Sequence, residues 1–182
     1  MQESYTITHA SQAIALCRGI FAKKLTDYGA SWRIMRPMSI TDQLFIKAKR
    51  IRTLETDTAM INEGILPEFM ALVNYGIIGL IQLRLGYADS ADITPVEALG
   101  HYDRYARVTL ELMAAKTHDY GDAWRDMRVI SYTDLILTKI QRIKQIENND
   151  GETIISEGID SNLMDIINYA IFAIIKLTDG EE

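Results

Sequence analysis

The chain has 182 residues, is 48% hydrophobic, contains 11 Gly and 3 Pro, and carries 25 acidic against 19 basic residues for a net charge of −6. That composition supports a real core and argues against a disordered or all-β chain. The acidic balance excludes a nonspecific grip on a nucleic-acid backbone, which needs a basic face, and the single Cys17 excludes an intrachain disulfide.

From its first residues, MQESYTITHA, the chain offers no basic segment followed by an apolar one, so no secretory leader is expected. The most apolar runs, FMALVNYGIIGLIQL and IINYAIFAII, fall short of the roughly 18 residues of a membrane span, and both contain Asn. A soluble, cytoplasmic protein without membrane contact is expected.

The periodicity predicts a first helix over 9–26, ending in TDYGASWRIMR. Gly29 lies where a helix closes in a left-handed conformation. A second helix is predicted over 40–57, with Ser39 as its cap and Asp42 in its first turn. The polar loop TAMINEG leads to a third helix over 67–85, and the connector GYADSADITP closes the first half.

The chain then repeats itself. At a displacement of 92, Lys24, Asp27, Tyr28, Gly29, Trp32, Arg33, Met35 and Arg36 meet identical residues, as do Ser39, Thr41, Asp42, Lys47, Arg50, Ile51 and Glu55. With two extra residues in the loop DGETIISEG, Asn74-Tyr75 then meets Asn168-Tyr169. The second set of helices is predicted over 95–118, 132–149 and 161–178; Thr94, Pro95 and Glu97 form a capping box at its start. No stretch alternates as a strand does. The fold expected is all-α: a six-helix bundle of two tandem three-helix repeats, 1–90 and 91–182, related by a pseudo-two-fold axis and packed as one domain.

Within this frame, some residue types sit oddly. Trp32, Arg33 and Arg36, with Trp124, Arg125 and Arg128, crowd the corner after the first helix; the arginines face no obvious acid. They are solvated loop residues or planar forks for a phosphate. Lys139 falls inside the apolar face formed by Ile136, Ile140, Ile143 and Ile146, with Arg142 at its edge; Lys47 and Arg50 repeat the arrangement. A cation there snorkels to water, pairs with an acid, or awaits a ligand. Asp165, Asn168 and Tyr169 share one face of the third helix, which makes Asp165 the candidate partner of Lys139 or Arg142. The first repeat keeps Asn74 and Tyr75 but has Ala71 in place of Asp165. There, a ligand's phosphate supplies the charge, Glu68 substitutes from one turn earlier, or the site has decayed.

No Gly-rich phosphate loop, cysteine cluster or Ser-His-Asp arrangement is present; His9, His101 and His118 are dispersed. Asp165, Asp160 and Glu157 are the acids near the second pocket; Glu157 and Asp160, three apart in or near a loop, are a weak signal for Mg²⁺, which wants several oxygen ligands.

The motifs K-x-x-DYG-x-x-W (Lys24 to Trp32; Lys116 to Trp124), K-x-x-R-I (Lys47 to Ile51; Lys139 to Ile143) and D-x-x-NY (Asp165 to Tyr169) resemble those of the nucleotide modification associated domain 1 family. The resemblance covers both repeats and implies an association with nucleotide or base modification. More distantly, the chain is similar to all-α MazG-like nucleotide pyrophosphohydrolases, which implies Mg²⁺ held by E-x-x-E and E-x-x-D. Here K-x-x-R and D-x-x-N stand in those places, and paired cations attract phosphate directly.

Two classes of function follow. The first is binding of a small phosphorylated ligand, a nucleotide, with Lys139, Arg142, Arg125 and Arg128 on phosphates, Asp165 and Asn168 orienting, and Tyr169 or Trp124 stacking. Lys47, Arg50, Asn74, Tyr75, Arg33, Arg36 and Trp32 are the counterparts in the first repeat. The second is a non-catalytic helical module, for partner binding or homo-oligomerisation, whose lysines only close internal ion pairs.

Overall fold

The computed structural model describes residues 4–56, 61–154 and 157–179. Six helices carry the fold: α1 (Tyr5–Tyr28), α2 (Pro37–Glu55), α3 (Ile61–Leu85), α4 (Pro95–Tyr120), α5 (Val129–Asn148) and α6 (Ile159–Thr178). Among the described residues there is no strand. The architecture is the all-α bundle of two three-helix repeats read from the sequence.

Most of the helices begin earlier than the hydrophobic pattern suggests. Ser4 caps α1, its hydroxyl accepting from the Ile7 amide at 3.3 Å. α3 begins before Pro67, at Ile61, so residues 61–64 of TAMINEG are helical and the preceding three lie outside the described residues. The capping box at α4 is formed, Thr94 and Glu97 each accepting the other's amide. The caps expected at Ser39 and Ser131 are not. α2 starts at Pro37 and α5 at Val129, with Arg36 and Arg128 as N-caps and no side-chain cap bond, so both serines already lie inside the helices.

Gly29 and Gly121 close α1 and α4 at φ 65° and 64°, as a glycine can. Their ψ values, −162° and −154°, are extended instead of left-handed helical. That geometry, nearly exclusive to Gly, turns the chain straight into the corner.

α3 and α6 lie together at the centre. α2 packs on α3, α5 on α6, and α2 and α5 meet; α1 and α4 pair and also contact both central helices. One cluster of buried side chains spans the two repeats. The central approach is close because Gly76 and Gly79 carry no Cβ: one at Gly76 would stand 2.6 Å from Ile167 Cγ1. The stretch Gly64–Leu85 has the length and apolarity of a membrane span, more than the shorter run in the sequence reading suggested, and 67% of it is buried inside the fold.

The recurring Thr41, Asp42 and Glu55 have a purpose at the α2–α5 contact. Thr41 donates to Glu147 at 2.6 Å, and Thr133 donates to Glu55 at 2.5 Å. Arg52 pairs with Asp134 at 2.5 Å, and Lys144 with Asp42 at 3.8 Å. Each contact occurs twice with the repeats exchanged, the pattern of a self-complementary interface.

Candidate functional site

Each corner folds as a helix end, a 3₁₀ turn (Ser31–Ile34; Ala123–Asp126) and the start of the next helix. The third helix of each repeat ties its own corner. Gln82 Nε2 donates to the carbonyls of Trp32, Arg33 and Met35 at 3.2, 2.9 and 2.8 Å. At the aligned position in α6, Lys176 Nζ donates to the Arg125 carbonyl at 2.6 Å. The two residues differ in type, so comparing the repeats does not single them out.

The corner arginines diverge. Arg33, expected to face no acid, is buried and pairs with Asp92 of the connector, Nε to Oδ1 at 2.8 Å. Its Nη1 also donates to the Gly86 carbonyl at 2.6 Å and to Gln82 Oε1. The guanidinium therefore staples the connector onto the corner and offers no free fork. Arg36 lies over the Tyr87 ring at 5.8 Å, and Arg125 over the Tyr5 ring at 4.2 Å. Arg128 is exposed.

In the second repeat, Lys139 of α5 reaches Asp165 Oδ2 at 2.8 Å and Lys116 of α4 reaches Oδ1 at 2.6 Å. Burial pushes the Asp165 carboxyl up, but the two ammonium hydrogen bonds outweigh it and hold the group below its ordinary range. Lys116, the second cation, went unassigned in the sequence reading, although its recurrence as Lys24 in the shared motif marked it. Arg142 does not join the clamp; it is exposed and lines, with Lys139, an open cleft of about 710 Å³ beside Asn149, Glu157 and Asn162.

In the first repeat the acid comes from one turn earlier. Glu68 Oε2 lies 3.5 Å from Lys47 and Oε1 lies 3.3 Å from Arg50, but Oε2 is buried and makes no hydrogen bond. The aligned residue in α6 is Asn162, which bonds the Gly158 carbonyl at 2.8 Å. Each repeat thus sets one acid of its third helix against these cations, Glu68 in the first and Asp165 in the second.

Each of the two asparagines bonds the first helix of its own repeat and also lines that repeat's cavity. Asn74 Nδ2 donates to the Cys17 carbonyl at 3.1 Å, and its Oδ1 accepts from Tyr102 at 2.8 Å. Asn168 Nδ2 reaches the equivalent Thr109 carbonyl at 3.4 Å, but its buried Oδ1 has no partner. Ala10 stands where Tyr102 would.

The tryptophans differ in the opposite sense. Trp124 Nε1 donates to Thr6 Oγ1 at 3.0 Å, and its ring stacks on Phe172 with centroids 4.7 Å apart. Trp32 Nε1 is buried without a partner; Ala98 holds the position of Thr6, and Ile78 that of Phe172. The consequence is a difference in space. Around Lys116, Asp165, Asn168 and Tyr169 only about 60 Å³ is left. Around Lys24, Lys47, Glu68, Ala71, Trp32 and Tyr75 there is a cavity of about 580 Å³.

The profile of the family described as nucleotide modification associated domain 1 matches residues 24–83 and again 116–177. The chain belongs to this family, with two copies of its domain. No curated protein and no solved structure matches the chain. Each copy of nucleotide modification associated domain 1 opens on the recurring lysine, Lys24 or Lys116, and runs through the residue that ties the corner, Gln82 or Lys176. The domain therefore contains the whole arrangement: corner tryptophan, two lysines and the polar face of the third helix. Chemically, the first copy presents a half-open space lined by aromatic rings and two lysines, and the second presents the same frame filled.

A resident Mg²⁺ does not fit this donor set. Among the described residues each copy sets one carboxylate, Glu68 or Asp165, beside its inward cations, and the partly buried Glu55 and Glu147 are bonded to threonines across the α2–α5 contact. Among the described residues no group of three His, Cys, Asp or Glu could hold a metal.

Proposed function

We propose that the first repeat binds a nucleotide, or a closely related small phosphorylated ligand, in the cavity between α1, α2 and α3. One observation carries this reading: the space of about 580 Å³ beside Trp32, with Lys24 and Lys47 on its wall. Its size falls within the roughly 300–1,000 Å³ of small-molecule sites. Phe21, Tyr28, Trp32 and Tyr75 supply ring surface for a base. Lys24 and Lys47 supply charge for phosphate, with Arg50 nearby on α2. The buried Trp32 Nε1 and Glu68 Oε2, in side chains that line the cavity, make no hydrogen bond in the ligand-free chain. Family membership supports the same ligand class. A cytoplasmic setting suits the chain, whose one cysteine, Cys17, is a buried free thiol.

The second reading, lysines serving only internal ion pairs, is favoured in the second repeat alone, where Asp165 engages both ammonium groups.

A thermal-shift panel of nucleoside mono-, di- and triphosphates, with and without Mg²⁺, tests the proposal. At a hundredfold excess over Kd, a bound nucleotide raises Tm by about 5–10 °C in a chain of this length. Lys47→Ala removes one charged contact and weakens binding by about tenfold to a hundredfold. A panel without any shift overturns the reading. Release of pyrophosphate from a triphosphate in the same samples would establish hydrolysis.

A further inference from the structure

The two copies of the domain are filled differently at three aligned points. Lys116 and Lys139 close on Asp165, whereas Lys24 has no ion-pair partner among the described residues and Lys47 has only Glu68 at 3.5 Å. Trp124 Nε1 is satisfied by Thr6, whereas Trp32 Nε1 has no partner. The Trp124 ring is covered by Phe172, whereas Ile78 stands at that place beside the open cavity. In each case the second repeat uses one of the chain's own side chains where the first repeat leaves a group short.

We infer that Asp165 occupies, in the second repeat, the position that a ligand's phosphate takes in the first: between the two lysines, against the methyl group of Ala71. The placement rests on the nucleotide reading and adds to it the seat of the anion and a stoichiometry of one ligand per chain. The aligned residues support it directly. Lys24, Lys47 and Ala71 all line the open cavity, and their counterparts Lys116, Lys139 and Asp165 are in contact. Ala71 leaves room where the carboxylate would project, and the two aligned lysines line the same cavity, Lys47 with Glu68 3.5 Å away. The second repeat is a site closed by a built-in anion.

The test uses the full chain, calorimetry and thermal unfolding, with inorganic phosphate and the four common nucleoside monophosphates as probes. Wild type binds with a stoichiometry of one. Ala71→Asp supplies the anion internally, so its affinity for the monophosphates falls at least tenfold while its ligand-free Tm rises. Ala71→Asn, similar in size but uncharged, loses less affinity. In Asp165→Ala the ligand-free Tm falls, and phosphate restores it while chloride at equal ionic strength does not. Binding by wild type that Ala71→Asp leaves intact, or that both Ala71 variants weaken equally, overturns the placement and leaves the nucleotide reading standing. No binding of any probe by wild type overturns both. The Asp165 arm does not depend on the Ala71 variants: a Tm that phosphate and chloride raise equally counts against the built-in anion.

Discussion

Lys139 and Asp165 meet at 2.8 Å between α5 and α6, with their side chains only 15% and 6% exposed. Lys116 completes the group from α4, so three helices of the second repeat converge on one carboxylate. Removing that carboxylate leaves a nearly buried ammonium without its partner. Asp165→Ala is expected to cost about 3 kcal/mol, the lower part of the range for breaking a buried pair, because Lys116 is half exposed. Lys139→Met removes the cation but keeps the apolar stem, and Lys116 still covers Asp165, so its cost is smaller. Urea unfolding midpoints of the two variants check the order.

The pH dependence of stability has two opposed parts on the acid side. Asp165 is held below its ordinary value, so its contribution is complete above about pH 3.9 and is lost as pH falls through the lower folded value. Glu55 and Glu147 are raised, chiefly by burial at the α2–α5 contact, so the folded chain takes up their protons first. Their effect is a gain in stability as pH falls through the raised values toward about 4.3. Stability therefore rises on mild acidification and then drops. On the alkaline side burial pushes Lys116 down, but its bond to Asp165 together with the nearby negative charges raises it overall, and its contribution is lost as pH climbs above about 10.4. Urea midpoints from about pH 8 to about pH 3 should show the rise and the fall, and Asp165→Asn should flatten only the fall.

Much of this was readable from residues alone because duplication makes a chain its own comparison. The six helices followed from apolar periodicity, and the misplaced Lys47 and Lys139 pointed inward where the charges were found. What could not be read depends on through-space partners. Asp92 lies far along the chain from Arg33, so the arginine looked unpaired until the connector folded back over the corner. Gln82 and Lys176 do one job with different chemistry, and identity between repeats cannot reveal that. The recurring Asp42 looked like part of a helix cap, but its role lies in the other repeat, across a contact that only packing creates. The empty space near Trp32 was invisible for a related reason: it arises from Ala71, Ile78 and Ala98, residues notable only for what they lack.

Gln82 is expected to be the most sensitive polar residue of the first repeat. Its amide serves three carbonyls of the corner and its oxygen takes the buried Arg33. Gln82→Ala leaves those groups without their partner in a dry setting, at a cost of about 2–4 kcal/mol. Gln82→Lys imitates the second repeat but sets a cation beside Arg33, so it should not rescue the fold. Thermal unfolding distinguishes the two expectations, and a Gln82→Lys variant as stable as wild type would show that the ties are interchangeable.

The α2–α5 contact allows a test of independence. Thr41 and Glu55 are fourteen residues apart on one helix, about 21 Å along its axis, and each bonds a different end of α5. Thr41→Val and Thr133→Val should each cost about 1 kcal/mol, and the double variant should equal their sum within about 0.5 kcal/mol. A larger discrepancy in chemical unfolding would mean that the two ends communicate through a shift of the helices.

Trp32 gives the proposed site an optical signal of its own. Its ring lines the cavity and its Nε1 is unbonded, whereas Trp124 is already stacked on Phe172 and bonded to Thr6. A base entering beside Trp32 must change the ring's contacts; nothing comparable is available to Trp124. With Trp124→Phe, the remaining emission belongs to Trp32 and should be quenched on titration with a nucleotide that the thermal panel selects, at the affinity measured by calorimetry. With Trp32→Phe, the remaining emission belongs to Trp124 and should stay constant even where calorimetry still detects weakened binding. Quenching that follows Trp124 in place of Trp32 would move the ligand to the second repeat and remove the cavity beside Trp32 from consideration.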